Sequence, residues 1–343
     1  MGARIGSTAR VAAALARGVL RLLVLAAPLA FAAPASGAQG LRVYLIDVGQ
    51  GDSTLLIFPD GQTMLIDAGE AEAAGAVIGL LDRLGIRALD FAVASHGHPD
   101  HIGGFGALAE AGYLDPSTTG YAWSGRQWGG IRWRRVRAGD LLCDCGGATV
   151  TCYAAGARVA GGAYVRPKGN NNARSIVLNI SYHGFDYLSG GDLTGAGHHP
   201  DVETPLGDAL AGLGIRIDVY KVHHHGSRSS SNLHFLKRIM PEFATISVGA
   251  DNPYGHPTRA VLNRLNHPEV GVRRIFLTER GCGATAHNVT VARGQILIST
   301  DGLRYTISSE GPGSAAFSFG PYPVDEFAGF WPMFSGVGDL LVP

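Results

Sequence analysis

The strongest chemical signal in the sequence is a run of metal-binding residue types between Ser95 and His101. The run reads S-H-G-H-P-D-H, so three histidines and one aspartate fall within six positions. Their imidazole and carboxylate groups suit zinc, manganese or iron. One helix could not direct residues with this spacing to one place, so we predict a loop after an apolar strand. We expect His96 and His98 to face one metal ion, and Asp100 and His101 to face a second.

Three further polar clusters follow strand-like segments later in the chain. They are Gly191-Asp192, the run His223-His224-His225-Gly226-Ser227, and the segment Asp251–Pro257, which contains His256. A glycine-flanked aspartate can approach two cations, and a bridging carboxylate holds such a pair about 3.5–4 Å apart. In the histidine run, His224 and His225 are the preferred ligands. The segment around His256 also fits an ordinary turn with an incidental histidine.

Short apolar segments separated by turn residues must position these clusters. Strands are predicted at Leu41–Asp47, Ser53–Phe58, Thr63–Asp67, Asp90–Ser95, Thr149–Ala154, Ser175–Tyr182, Asp186–Leu188, Asp218–Val222, Phe243–Val248, Arg274–Leu277 and Gln295–Thr300. The Ala/Leu-rich segment Ala71–Leu84 is predicted to be a helix. Strands, a helix and then strands again indicate two sheets packed face to face with helices outside.

The first 38 residues differ in composition from the rest of the chain. Their charges are four arginines, and an apolar run of about a dozen residues from Leu22 ends in small residues near Ala38. This pattern is typical of a secretory signal peptide. The alternative is a membrane anchor, but a spanning helix needs about 20 apolar residues. We therefore expect an exported protein, periplasmic or extracellular, with no membrane span after signal removal.

Charge and cysteine content narrow the function classes. Without the first 38 residues the chain has 24 basic and 28 acidic residues, which excludes a strongly basic nucleic-acid-binding surface overall. Locally, Trp123, Arg126, Trp128, Arg132, Trp133, Arg134, Arg135 and Arg137 mix cations with aromatic rings, as single-strand binding surfaces do. A hairpin with solvated arginines explains the same residues.

The sequence has four cysteines, which predict one or two disulfides in an exported protein, with a structural zinc site as the alternative. They are Cys143, Cys145, Cys152 and Cys282.

Together the motifs resemble the metallo-β-lactamase superfamily, and within it the C-terminal hydrolase-like domain of the ComEC-type competence proteins that bring DNA into bacteria. The matching segments are D-V-G-Q-G-D-S at 47–53, L-I-D-A-G at 65–69, H-G-H-P-D-H at 96–101, N-N-N at 170–172, G-D at 191–192, H-H-G-S at 224–227 and Y-G-H-P at 254–257. The resemblance covers nearly all of Leu41–Ile307. It implies an α+β fold, the αββα sandwich, with metal ions at one edge of the sheets.

The resemblance also implies a ligand set and a domain organisation. Its ligands are His96, His98, Asp100, His101, Asp192 and His224 or His225, which would hold two divalent ions, Zn²⁺ or Mn²⁺. The predicted organisation is a signal peptide at 1–38, a hydrolase domain at 39–309 and a Gly/Pro/aromatic tail at 310–343. One departure is Asn171, which stands where many members have another histidine. The metal site of His96 and His98, called site one below, is therefore expected to have two imidazoles. The site of Asp100 and His101 is called site two.

Two such metal ions lower the pKa of a bridging water, so that hydroxide forms near neutral pH. The expected function is hydrolysis of a phosphodiester, with nucleic acid as the favoured substrate. Asp100 would orient the hydroxide, His256 would assist the leaving oxygen, and Ser227 would contact a phosphate. Asp47, Asp52 and Asp67 are expected to cap turns and support the histidines. The alternatives are a hydrolase of small esters, lactones or β-lactams, and a non-catalytic binding protein on the same scaffold.

Overall fold

The computed structural model describes residues 40–124, 128, 130–310 and 316–319. The predicted signal peptide at 1–38, Arg126 and the part of the predicted tail beyond residue 319 lie outside the described residues. The strands are β1 Leu41–Leu45, β2 Thr54–Ile57, β3 Thr63–Ile66, β4 Phe91–Ala94, β5 Thr119–Ala122, β6 Arg132–Arg135, β7 Leu141–Cys145, β8 Ala148–Ala155, β9 Arg158–Val159, β10 Val177–Tyr182, β11 Phe185–Ser189, β12 Val219–Lys221, β13 Phe243–Ile246, β14 Arg274–Leu277, β15 Val289–Val291, β16 Ile296–Thr300, β17 Tyr305–Ser309 and β18 Ala316–Phe319.

Six α-helices accompany these strands in the described part of the chain. They are α1 Ala74–Arg83, α2 Pro99–Ile102, α3 Phe105–Glu110, α4 Glu203–Gly212, α5 Leu233–Ile239 and α6 Arg259–Leu265. Short 3-10 turns lie at Ala71–Ala73, Asn172–Arg174 and His223–Gly226. None of the described helices is long and apolar enough to span a membrane.

The strands form two sheets. The first has the order β18-β17-β16-β1-β2-β3-β4-β5-β6, and the second has the order β15-β14-β13-β12-β11-β10-β8-β7, with β9 paired to β8. Strands β3 to β6 pair in parallel, and so do β11 to β15. The hairpin strands are antiparallel.

Alternating side chains divide the core into three layers. Along β1, Val43 faces the other sheet, where it packs in a cluster with Val150 and Tyr187. Tyr44 faces the opposite way and packs with apolar residues of α1 and α3. A third cluster joins the second sheet to α4, α5 and α6. The order helix, sheet, sheet, helix is the αββα sandwich that the resemblance implied.

The parallel strands place the polar clusters at one edge of the sandwich. The carboxyl ends of neighbouring parallel strands meet at the same sheet edge. The segments after β3 and β4 therefore lie side by side, and so do those after β11, β12 and β13. These segments begin with Asp67, Ser95, Gly190, Val222 and Ser247.

The predicted strands all exist, with ends that differ by up to two residues. Strands β5, β6, β7, β9, β15, β17 and β18 and helices α3 to α6 were not predicted. Helices α5 and α6 have only seven residues each, too short for a clear repeating apolar pattern. Helix α4 contains Gly207, which lets the helix approach α5, because an added Cβ would lie 3.1 Å from the Phe235 Cα. Strand β18 shows that part of the predicted tail pairs with β17.

The cysteines form one disulfide in the structure, between Cys143 and Cys145 on β7. Cys152 is a buried free thiol on β8, and Cys282 is an exposed one. The expectation of one or two disulfides in an exported protein stays a prediction. In the described part of the chain, the residue groups able to hold a metal ion contain no cysteine, so nothing here supports the structural zinc alternative.

Candidate metal centre

The His96–His101 segment combines a loop with a short helix. His96 lies in a bend after β4, and His98, in extended backbone, precedes the first turn of α2. Asp100 and His101 are on α2 itself, which begins at Pro99. The prediction of a loop throughout was therefore wrong for the second half. Proline fits the first helical position because no intrahelical partner is needed there for its missing N–H, and the turn it starts separates the two pairs of side chains.

Asp192 lies at the centre of the cluster and turns one oxygen to each side. On one side, the Asp192 Oδ1 lies 3.1 Å from the His101 Nε2 and 3.5 Å from the His225 Nε2. The Asp100 Oδ2 lies 3.3 Å from the same His225 nitrogen and 3.7 Å from the His101 Nε2. A metal ion with ligands at about 2.0–2.2 Å in tetrahedral geometry separates them by about 3.3–3.6 Å. These four atoms therefore have the spacing of one metal site.

The other oxygen of Asp192 faces a second group. The Asp192 Oδ2 lies 3.7 Å from the His96 Nε2 and 3.4 Å from the His224 Nε2. The His96 Nε2 in turn lies 3.0 Å from the His98 Nδ1. The structure thus brings His96, His98 and Asp192 together as site one, as expected, and places His224 against the same carboxylate oxygen. His225 belongs to the other side, site two.

Unpartnered buried atoms show that this donor set fits divalent ions. The His101 Nε2, the His225 Nε2 and the Asp192 Oδ1 are buried and have no hydrogen-bond partner among the described residues. Leaving a buried polar atom unsatisfied costs about 1–3 kcal/mol. Three such atoms converging within one site would be unfavourable unless a cation satisfies them. Imidazole and carboxylate donors of this kind suit zinc and manganese.

Hydrogen bonds at the Nδ1 atoms orient the site-two histidines. The His101 Nδ1 lies 2.7 Å from the Asp67 Oδ2, and Asp67 also accepts bonds from the backbone N–H and the hydroxyl of Ser95. The His225 Nδ1 donates to the Ser247 carbonyl at 3.0 Å. Because Nδ1 is engaged in each ring, Nε2 is the nitrogen turned toward the metal. The expected supporting role of Asp67 matches this geometry.

Asp52 lies beside the same rings but on the side of their Nδ1 atoms. Its carboxylate pairs with the buried Lys221 ammonium and lies 3.6 Å from the His225 Nδ1 and 3.8 Å from the His101 Nδ1. Asp52 does belong to a group with His101, Asp192 and His225 whose ligand atoms lie within 4.8 Å of one another. We assign it a supporting role, because the metal-facing atoms of both rings are the Nε2 atoms. Asp47 caps its own turn through Gly49.

The histidine run folds into a tight turn that sends its three rings in different directions. His224 and His225 have φ of 53° and 52°, in the left-handed region that non-glycine residues seldom adopt. His223 turns away from the metal side, and its Nδ1 contacts the buried Glu203 carboxylate at 2.7 Å. Glu203 also accepts the backbone N–H groups of Ser231 and Asn232, which follow the turn. Glu203 thereby anchors the turn that presents both ligands.

The electrostatics of the centre favour ionised carboxylates. Burial raises the pKa of Asp192, but the charges of His224, His101 and His225 outweigh burial and hold this pKa well below its usual range. Burial raises the pKa of Asp100 as well, but the close contact with the His225 imidazole and the charge of His101 bring this pKa down to about 2. Both carboxylates are therefore anionic at neutral pH, as metal ligands must be.

The predicted catalytic residues His256 and Ser227 lie around this centre. The His256 ring centroid is 5.6 Å from that of His224 and 6.3 Å from that of His225. Burial, followed by the charges of His225 and His224, lowers the pKa of His256 to about 4, so its imidazole is neutral near pH 7. The Ser227 hydroxyl bonds to that of Ser229, which in turn contacts the His224 Nδ1 at 3.1 Å. Ser227 therefore supports His224 through Ser229.

Two neighbouring asparagines border site one. Asn171, which the resemblance aligned with a third histidine, lines a small cavity with His96. Asn172 lies closer to the ligands, since its Nδ2 is 3.3 Å from the His224 Nε2. The buried Oδ1 of Asn172 has no hydrogen-bond partner within the described residues. The sequence did not single out Asn172, Glu203 or Lys221 as residues of the site. Of the three, Asn172 alone lies in a motif, N-N-N, that could have indicated it.

Comparisons with known proteins agree with this geometry. Residues 46–115, which include the His96–His101 segment, match the family model of the metallo-β-lactamase superfamily. This part of the chain, with the ligands on α2, is thus similar to a metallo-β-lactamase superfamily domain. The family match and the His/Asp groups together support a metal-dependent hydrolase.

A competence protein is among the relatives of this chain. The chain is 29% identical over 267 residues to competence protein ComA of Neisseria gonorrhoeae, covering 75% of this chain and 34% of that protein. It is 27% identical over 273 residues to ComE operon protein 3 of Bacillus subtilis, covering 72% and 33% respectively. The chain thus spans about a third of the length of these relatives. A solved structure, the metallo-β-lactamase fold protein YhfI from Bacillus subtilis, has a TM-score of 0.44 and 14% identity, covering 75% of this chain and 98% of that one.

Proposed function

We propose that this domain is a dinuclear metal-dependent phosphodiesterase, with nucleic acid as its substrate class. The observation that carries the proposal is the orientation of Asp192, whose two carboxylate oxygens face two different sets of histidines. A carboxylate shared in this way is the arrangement that holds two cations about 3.5–4 Å apart. His96, His98 and His224 would hold one ion with Asp192, and Asp100, His101 and His225 would hold the other.

Two divalent ions bound there would activate a water between them and neutralise charge on the phosphate. The chain's own residues supply orientation. Asp100 contacts both site-two imidazoles and is about a quarter exposed, 23% for its side chain, so it borders both the ligands and the open side of the centre. His256, neutral at its lowered pKa, can donate an N–H hydrogen bond to a leaving oxygen but is a weak proton donor there.

Export remains part of the proposal. Its support is the sequence pattern of the first 38 residues, where four arginines precede an apolar run that ends in small residues. The relatives include competence protein ComA of Neisseria gonorrhoeae. The resemblance of the motifs to competence proteins that bring DNA into bacteria supports DNA as the substrate, and an exported domain would meet DNA outside the cytoplasm.

The test is a substrate panel on metal-reconstituted protein. The substrates are single-stranded DNA, RNA, bis-p-nitrophenyl phosphate, a lactone and a cephalosporin. We expect hydrolysis of the phosphodiesters with Mn²⁺ or Zn²⁺, loss of that activity in Asp192→Ala, and full activity in the surface control Asp60→Ala. Turnover of the lactone or cephalosporin without the phosphodiesters would favour the ester and lactam alternative. Metal binding without any turnover would favour a binding protein.

A further inference from the structure

A cleft lined by arginines opens beside the metal centre, between the edge strand β6 of the first sheet and the β8–β9 region of the second. Its volume is about 390 Å³, and its lining includes Trp123, Arg135, Arg137, Arg158 and Gly161. We call it the arginine cleft. The described lining residues contain three arginines and no acidic residue, and within the described residues no ion pair engages these arginines.

This local charge is not a consequence of a basic chain. The whole sequence has 28 basic and 28 acidic residues and a net charge of zero. Strand β6 and the residues after it nevertheless read R-W-R-R-V-R, with Arg132, Arg134, Arg135 and Arg137 all exposed. The Asp140 carboxylate accepts the Arg137 backbone N–H at 2.8 Å but forms no ion pair with these guanidinium groups among the described residues. Exposed arginines along an edge strand favour binding of a polyanion.

The arginine cleft connects with site one through Trp123. A second, smaller cavity of about 90 Å³ is lined by His96, Gly97, Trp123 and Asn171. Trp123 therefore borders both spaces, and the Arg174 guanidinium lies over its ring at 5.1 Å. A chain-like ligand whose reacting group lies at the metal centre could extend past Trp123 into the cleft.

An exposed aromatic ring lies next to the third arginine of the cleft. Tyr164 is 52% exposed, and the Arg158 guanidinium lies 4.6 Å from its ring centroid. Arginines that follow a phosphate backbone, combined with aromatic rings that stack on bases, are the surface that binds single-stranded nucleic acid. A small phosphodiester would need neither feature.

From these contacts we infer that the arginine cleft binds the strand that extends from the scissile phosphate. Arg135, Arg137 and Arg158 contact its phosphates, and Tyr164 stacks on a base. The inference rests on the proposed phosphodiesterase activity and deepens it, because it specifies a single-stranded nucleic acid rather than a small phosphodiester. Specificity for a polymer then comes from the cleft, while hydrolysis depends on the metal centre.

The experiment separates binding from hydrolysis. Binding of a fluorescein-labelled, cleavage-resistant phosphorothioate oligothymidine of about twelve nucleotides is measured by anisotropy on the metal-loaded protein across a salt series. In the double variant Arg135→Gln/Arg158→Gln we expect binding at least about tenfold weaker and a salt slope lower by about 1.4, the value for two lost phosphate contacts on a single strand. Turnover of bis-p-nitrophenyl phosphate should be unchanged.

The matched control is Arg304→Ala, an exposed arginine in the turn after β16, at the sheet end opposite the metal centre. It should leave both readouts unchanged. Tyr164→Ala should weaken binding of the base-containing strand but not that of an abasic strand of equal length. Oligonucleotide binding that is unchanged in the double variant, or equally tight for abasic and base-containing strands, overturns the inference. Absence of bis-p-nitrophenyl phosphate turnover in the wild type would instead refute the proposed function and leave the binding result to be judged by itself.

Discussion

Removal of the shared carboxylate should release both metal ions, and Asp192→Ala is the sharpest test of the centre. Each oxygen of Asp192 lies within 3.7 Å of imidazole nitrogens on its own side. Replacement of His98 would disturb one side only, whereas Asp192→Ala removes a ligand from both. It also leaves the buried histidine nitrogens without the anion that balances a bound cation.

The magnitude follows from ligand binding to the folded state alone. An ion present at about 100 times its Kd stabilises the folded protein by about 2.7 kcal/mol, so two ions add about 5 kcal/mol. For a body of this size 1 kcal/mol shifts Tm by about 2–4 °C. We therefore expect metal loading to raise the wild-type Tm by about 10–20 °C over the chelated form. In Asp192→Ala the rise should nearly vanish.

The assay is thermal unfolding with chelator and with added Mn²⁺ or Zn²⁺, combined with metal content by mass spectrometry. Asp60→Ala, in an exposed turn between β2 and β3, is the control for a surface aspartate and should keep the full metal-dependent rise. The reasoning is refuted if Asp192→Ala retains both ions, or if the wild type binds metal with no change in Tm.

The remaining predictions concern single contacts. His225→Ala should lose only the site-two ion, and His224→Ala only the site-one ion. Native mass spectrometry would then show a one-metal form of each variant, and loss of both ions from either variant would contradict the assignment. Asp67→Asn should weaken metal binding about 10–100-fold in a competition titration, because His101 loses its orienting carboxylate. Burial, with the Asp186 charge, raises the pKa of Asp218 to about 7, so the contribution of Asp218 to wild-type stability should fall as the pH rises from about 4 to 7. Asp218→Asn should remove up to about 4 kcal/mol of that fall in the free energy of unfolding, measured by denaturant titration of chelated protein at each pH. Parallel curves of unfolding free energy against pH for the wild type and the variant would contradict this.

The sequence by itself determined the residue types of the centre and the strands that carry them. Apolar segments ending in His96, Asp192 and the His223–His225 run were recognisable because buried parallel strands read as apolar runs. The resemblance added the αββα fold and the full ligand set. The observed alternation of Val43 and Tyr44 between two core layers fits the period of two that the strand predictions used.

Only the tertiary structure decided how the ligands divide and what supports them. His224 and His225 are adjacent in sequence, yet the left-handed turn sends them to opposite oxygens of Asp192. The Glu203 carboxylate that anchors this turn is 20 residues from His223, and Lys221 is 169 residues from Asp52. Contacts across such separations leave no local pattern, because they depend on how the two sheets pack and not on the period of any one segment.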